Sequence, residues 1–152
     1  MKRAFGPVVL ALTGLLGSVA VARAELAPWD PSKVTDLTRQ LEVATRQLYD
    51  TFEKLPPLEK GSTHTRQYFR LKQEARQMTR ESRWLARALE KNLGQEETLP
   101  AYESLRAAVR GAEQDAAVVQ TGPEFPPKFA AVRGLLDRLS PYYDASAKPP
   151  AQ

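Results

Sequence analysis

Residues 62–94 have the sequence STHTRQYFRLKQEARQMTRESRWLARALEKNLG. Apolar and small side chains recur in it at alternating steps of three and four, which is typical of a helix packed along one stripe. The stripe positions are His64, Tyr68, Leu71, Ala75, Met78, Ser82, Leu85 and Leu89. The pattern predicts one long helix here, with Ser62 or Thr63 as its cap and Gly94 as a left-handed residue just past its end.

The same spacing recurs on both sides of this stretch. The predicted helices cover about 31–55, 62–93, 98–120 and 127–140. Asp30-Pro31 favours the start of the first helix, because an acidic cap followed by proline suits the first turn. Pro56-Pro57 ends it, since proline lacks an N–H and disfavours helix in the residue before it. Thr98 is the expected cap of the third helix.

The fourth predicted helix starts near Pro127 and is ended or kinked by Pro141. The chain contains neither an alternating β-branched run nor an Asn-Gly hairpin turn, so it gives no strand signal. Helices joined by short connections predict an all-α fold, an antiparallel up-down-up-down four-helix bundle over residues 25–144. Residues 145–152 are polar and proline-containing, and we expect a disordered tail there.

The N-terminus has the features of a signal peptide. Lys2 and Arg3 form a short basic start, an uncharged apolar run follows, and Ala22-Arg23-Ala24 has the small-x-small pattern at which signal peptidase cuts. The sequence therefore predicts a signal peptide over residues 1–24 and a bacterial periplasmic or secreted protein that is not integral to the membrane after cleavage. The chain has no cysteine, so its stability cannot depend on disulfides.

Cleavage changes the charge of the protein. The full chain has 22 Lys and Arg against 18 Asp and Glu, a formal net charge of +4. The signal peptide holds three of the basic residues and no acidic one, so the mature chain would carry 19 basic and 18 acidic side chains. A nearly neutral exported protein gives little support for nucleic-acid binding. Within it, residues 62–93 hold eight basic and three acidic side chains, so the positive charge is concentrated in one helix.

The back of that helix is strongly cationic. At about 100° per residue, the stripe residues fall within about 60° of Leu71, whereas the basic residues lie on the opposite side. Two large aromatic residues share that side. We call this surface the basic face, and its members are Arg66, Phe69, Arg70, Arg76, Arg80, Arg83, Trp84, Arg87 and Lys91.

Two interpretations of the basic face are open. In the first, arginine stems cover apolar surface, their guanidinium groups reach acidic residues of neighbouring helices such as Glu42 or Glu113, and the aromatic rings are buried. In the second, the face is a docking surface on which arginine and aromatic residues anchor an acidic protein partner or an anionic envelope surface. Exposure of Phe69 and Trp84 favours the second interpretation, a non-enzymatic exported protein whose partner binds residues 66–91.

The single histidine supports an alternative function. His64 lies in the first turn of the central helix and could ligate haem or a metal, which would make the protein a small-ligand or cofactor-binding bundle. Covalent c-type haem is excluded, because the chain has no cysteine. The sequence also lacks Gly-x-Ser-x-Gly, phosphate-loop and His-Glu-x-x-His patterns. We therefore expect neither enzymatic activity nor a resident cofactor.

Overall fold

A computed structural model of the protein describes residues 26–54, 64–119 and 121–144. Regular structure over these residues is helical, without strands, which confirms the predicted all-α class for this part of the chain. Its four helices are α1 (Pro31–Glu53), α2 (Thr65–Glu90), α3 (Gln95–Ala116) and α4 (Phe125–Tyr143). None of the four has the length and apolarity that a membrane crossing needs. The predicted signal peptide 1–24, the predicted caps Ser62 and Thr63, and the predicted tail 145–152 lie outside the described residues.

The start of α1 is the capped proline turn that the sequence predicts. The Asp30 carboxylate accepts a hydrogen bond from the backbone N–H of Lys33 at 3.0 Å. Pro31 is the first helical residue, a position whose N–H would have no partner within the helix. The helix ends at Glu53, two residues before the predicted end at 55.

The connection between α2 and α3 differs from the prediction. Asn92, not Gly94, has a left-handed backbone, with a φ of 61°, a conformation that asparagine tolerates better than most residues. Gly94 is extended and immediately precedes α3, and its N–H donates to Glu97 Oε2 at 2.9 Å. The helix therefore starts at Gln95 rather than near Thr98. The Glu97 side chain, in the first turn, accepts a hydrogen bond from the N–H of Gly94, the residue just before the helix.

Helix α4 is longer at both ends than the sequence predicts. It begins at Phe125, so that two prolines fall in its first turn, where no intrahelical N–H is needed. It also continues through Pro141 to Tyr143. Pro141 has no N–H for the carbonyl of Asp137, and the hydroxyl of Ser140 donates to that carbonyl instead, at 2.8 Å. Prolines near the helix ends therefore do not mark its limits.

The described helices pack as a ring of neighbours. Helix α1 contacts α2 and α4, and α3 contacts α2 and, less extensively, α4. The pairs that lie across the ring, α1 with α3 and α2 with α4, have no Cα atoms within 8 Å of each other. Thr45 bonds Ser82 and Glu53 pairs with Lys72, so residue numbers rise along α1 as they fall along α2. The same opposite order holds across α2 and α3.

The predicted stripes meet inside this ring. In α1, α3 and α4 the stripe consists of the residues that recur at the same steps of three and four. The apolar stripe residues that are at most 2% exposed are Val34, Leu37, Leu41, Leu48, Phe52, Leu71, Ala75, Met78, Leu85, Tyr102, Leu105, Ala112, Val132 and Leu139. Ser82, a polar member of the α2 stripe, is also fully buried and forms a hydrogen bond of 2.7 Å with the Thr45 hydroxyl. His64 is different, because it is exposed just before α2 begins. The spacing therefore predicts the core well, and only the first member of the α2 stripe is exposed.

Candidate functional site

The two aromatic residues of the basic face are exposed. Phe69 has 62% and Trp84 45% of its surface open to solvent, although large aromatic side chains of helical proteins are mostly buried. The first interpretation of the basic face requires both rings to be buried, and the described residues do not bury them.

The C-terminal half of the basic face forms a groove. Two rows of α2 side chains border it, and successive members of each row are four residues apart, so that they lie one above the other on the helix. The first row is Arg76, Arg80 and Trp84, and the second is Thr79, Arg83 and Arg87. The space between the rows has a volume of about 350 Å³. We call it the arginine groove.

Two arginines of the groove are held in position from α1. Arg76 Nε donates to the Tyr49 hydroxyl at 2.9 Å, and the guanidinium carbon lies 5.7 Å from the centre of that ring. Arg83 Nε donates to Glu42 Oε1 at 3.3 Å. The Tyr49 hydroxyl donates in turn to Glu53 Oε1 at 2.7 Å. These contacts restrict the positions of the two arginine side chains.

The remaining cations keep the face positive. Arg80 pairs with the adjacent Glu81 at 2.8 Å, and its side chain is still 72% exposed. Arg66, Arg87 and Lys91 have no described carboxylate within 4.0 Å. The face therefore carries more positive charge than the carboxylates around it neutralise.

Trp84 also borders a cavity on its other side, toward α3. This cavity has a volume of about 260 Å³, and Glu81, Pro100 and Ala101 complete its lining. The indole ring thus stands between the arginine groove and the start of α3. Because both of its sides adjoin open space, an apolar side chain of a partner can pack against the ring.

The N-terminal half of the basic face is organised differently. Arg70 Nε donates to Asp115 Oδ2 on α3 at 2.8 Å, and a second guanidinium nitrogen donates to the other carboxylate oxygen. The hydrogen bond to Asp115 raises the pKa of Arg70 above its usual value. Asp115 is buried, so Arg70 belongs to the α2–α3 interface. Phe69 lies beside it with its ring edge-on to Tyr68, 5.8 Å between centres.

The structure therefore divides the predicted site. The arginine groove brings together Arg76, Arg80, Arg83, Trp84 and Arg87. Lys91 follows Arg87 by one helical turn, and Arg66 and Phe69 lie near the opposite end of α2. All three stay exposed, and none of them borders the groove.

His64 lies apart from the cavities beside α2. It is exposed at the residue before the helix and contributes to neither cavity lining. Over the described residues there is no group of three or more His, Cys, Asp and Glu side chains placed to hold a metal ion. A ligand role for His64 stays a prediction.

Glu74 is a carboxylate that the sequence prediction did not include. It faces α3 at Gly111, where any side chain would collide with Glu74 Oε1. Its other oxygen, Oε2, is buried and has no hydrogen-bond partner within the described structure. Burial and the nearby Asp115 carboxylate raise the pKa of Glu74 to about 7, while Arg70 acts in the opposite direction. A glycine inside the alanine-rich third helix is the one sequence signal that could have indicated this contact.

The raised pKa of Glu74 predicts a pH-dependent stability. Its ordinary value of 4.5 rises to about 7 on folding, so the folded state binds the proton more tightly than the unfolded state. The contribution of Glu74 to the free energy of unfolding should therefore be fully present below pH 4.5 and should be lost as the pH rises through about 7. Because part of the side chain stays near water, we expect the free energy of unfolding to fall by about 1–2 kcal/mol, which is less than the whole pKa shift would correspond to.

Glu74→Gln tests this expectation, because it removes the proton-binding group and keeps the shape. The variant should be more stable than the wild type above pH 7 and should match it near pH 4. Urea denaturation followed by circular dichroism across this range measures the difference. Glu103→Gln, on the exposed side of α3, is the control. Parallel curves for the wild type and Glu74→Gln would contradict the assignment.

An apolar cavity lies between the end of α3 and the start of α4. Its volume is about 280 Å³, and its lining residues are Glu113, Ala116, Ala117, Thr121, Phe125, Pro126, Phe129, Ala130 and Arg133. Glu113 and Arg133 pair at 2.7 Å beside it. The cavity can hold a small apolar group, and His64 does not contribute to it.

Comparison of the chain with known protein families, curated proteins and solved structures finds no match. The described residues define the class of protein by themselves: an all-α protein with an exposed groove of arginines and one tryptophan on its second helix.

Proposed function

We propose that the protein is a non-enzymatic exported helical bundle that binds an acidic protein partner through the arginine groove of α2. The observation that carries the proposal is the groove itself, in which four arginines surround one space beside a half-exposed tryptophan. Arginine and tryptophan are among the residues most enriched at binding hot spots. Two of the arginines are already positioned by α1, as expected of a surface prepared for a partner.

The architecture and the compartment are part of the same proposal. Opposite residue order across neighbouring helices supports the antiparallel up-down-up-down arrangement. The basic start, apolar run and small-x-small site of residues 1–24 support export to the bacterial periplasm or beyond. An anionic envelope surface is the alternative ligand, since it offers the same charge to the same arginines.

Reversing two charges of the groove should abolish partner binding. Arg80 and Arg87 have at most one neighbouring carboxylate each, so Arg80→Glu with Arg87→Glu should leave the fold intact and repel an acidic partner. We expect capture of the partner from an extract of the source organism to fall by at least about tenfold. Affinity capture with mass spectrometry measures the loss, and helical circular dichroism checks the fold.

A matched control separates the groove from overall charge. Arg110 and Arg138 are exposed on α3 and α4, so Arg110→Glu with Arg138→Glu makes the same change in net charge elsewhere. This control should capture the partner as the wild type does. If both double variants lose capture equally, or if neither does, the arginine groove is not the binding site.

The α3–α4 cavity favours a second candidate function. Its apolar lining and its volume of about 280 Å³ suit a small apolar ligand or part of a cofactor. Haem ligated by His64 is a separate version of ligand binding, because His64 does not line this cavity; in that version, protein isolated from its source would show a Soret band. A spectrum without that band would remove the haem version and leave the apolar cavity as a site for a colourless ligand.

A further inference from the structure

We infer that the partner places an acidic α-helix in the arginine groove; this inference rests on the proposed function and specifies the partner's shape. The groove runs between two rows of side chains spaced four residues apart on α2. Such rows are the ridges of a helix, and the groove between them is the space that a ridge of a second helix fills when two helices pack. The described helices of this chain leave that space empty.

The charge of the lining determines the chemistry of the incoming ridge. Four of the six lining residues are arginines, and their guanidinium groups make strong paired hydrogen bonds with carboxylates. Arg76 and Arg87, at the two ends of the groove, are eleven residues apart in sequence, roughly 16 Å along the helix. A matching ridge therefore carries Asp or Glu at four-residue intervals over about three turns. An apolar residue at one end of the ridge would pack against Trp84, which is half-exposed.

The hydrogen-bonding inventory of the groove disfavours an extended peptide. Arginine side chains and the Trp84 indole are donors only. The Thr79 hydroxyl directs its hydrogen at the backbone carbonyls of Thr45 and Ala75, so its oxygen is the one acceptor among the side chains that border the groove. One acceptor is too few for the successive backbone N–H groups of an extended chain. A helix satisfies those groups internally, so it can enter the groove without leaving them unpaired.

The position of the cations disfavours a flat membrane surface. Arg76 and Arg83 are held toward α1 by Tyr49 and Glu42. The Arg83 side chain is accordingly 42% exposed, against 72% for Arg80, so the arginines do not project as one row. A planar layer of lipid phosphates would meet the outermost side chains and leave the groove unfilled. A convex ridge, in contrast, reaches all four arginines at the same time.

A pair of designed peptides tests the inference. Both have about 20 residues, carry Glu at four-residue intervals and one Leu on a serine background that is a weak helix former, and differ only in a side-chain cross-link that locks the first into a helix. The locked peptide should bind the full protein at least about tenfold more tightly than the unlocked one in fluorescence anisotropy. Arg80→Glu with Arg87→Glu should remove this binding, and Arg110→Glu with Arg138→Glu should not.

Each other outcome overturns the helix inference. Equal affinities for the two peptides, or no binding of the locked one, would show that helical shape is not recognised. Tighter binding to phosphatidylglycerol vesicles, sensitive to Arg80 and Arg87, would identify a membrane surface instead. A dimer in sedimentation that the same double variant dissolves would identify a second copy of this chain. If capture of the natural partner still depends on Arg80 and Arg87 in any of these cases, the proposed function stands without the helix.

Discussion

Replacing Phe52 by alanine should lower the free energy of unfolding by about 3–5 kcal/mol. Phe52 is 1% exposed and joins three helices at one end of the ring. Its ring packs edge-on against Phe125 of α4, 5.1 Å between centres, and against Tyr68 of α2, 6.3 Å between centres. Alanine would remove the shared ring and leave a cavity that the three helices cannot easily close.

Urea denaturation monitored by circular dichroism measures this loss. Val43→Ala is the matched control, because Val43 lies on the same helix but is 55% exposed, and its effect should stay within about 0.5 kcal/mol. Phe52→Leu should lose less than Phe52→Ala, since it retains most of the apolar volume. Similar losses for Phe52→Ala and Val43→Ala would mean that the aromatic cluster does not hold the helices together.

The helical core could be predicted from the sequence because its cause is local. A helix buries side chains at steps of three and four, so Leu71, Met78 and Leu85 reveal their burial by spacing alone. The same geometry predicts that Phe69 and Trp84 point away from the core, and both are exposed. The all-α class and the basic face therefore follow from periodicity, without knowledge of which helices are neighbours.

Helix ends were predicted less well, because they depend on contacts that periodicity does not contain. Thr98 has the side chain of a good cap, yet its hydroxyl donates to the Gly94 carbonyl and forms a hydrogen bond with the Tyr143 hydroxyl. That use depends on α4, forty-five residues later in the chain. Glu97 takes over the capping role instead. A residue that is well suited to cap a helix therefore does not do so when its side chain is used in a contact with another helix.

The side of α2 on which the basic residues lie was predicted, but not which of these residues pair with carboxylates. Arg70 and Arg80 look equivalent in the sequence, since both are arginines on the same side of one helix. The structure separates them, because Arg70 reaches a buried carboxylate on α3 whereas Arg80 remains largely in water. Charge pairs between helices depend on the rotation and axial position of each helix, which no single stretch of sequence determines.

Removing Arg70 should destabilise the protein more than removing its partner Asp115. The Asp115 side chain is 4% exposed and that of Arg70 is 56% exposed, so the two variants leave different groups behind. Asp115→Ala leaves a guanidinium that can turn into water, and we expect this variant to lose about 1–3 kcal/mol. Arg70→Ala leaves the Asp115 carboxylate buried without a cation. The second carboxylate nearby, Glu74, adds to the cost, because the negative charges of Asp115 and Glu74 repel each other.

A double-variant cycle measures this asymmetry. Arg70→Ala should lose more stability in urea denaturation than Asp115→Ala, and the double variant should recover part of the loss of Arg70→Ala, because the unpaired carboxylate is then gone. Arg110→Ala is the control, an exposed arginine of α3 outside this interface. Equal losses for the two single variants would mean that Asp115 finds water or another donor when Arg70 is absent. Additive losses in the double variant would show that the two residues do not act as a pair.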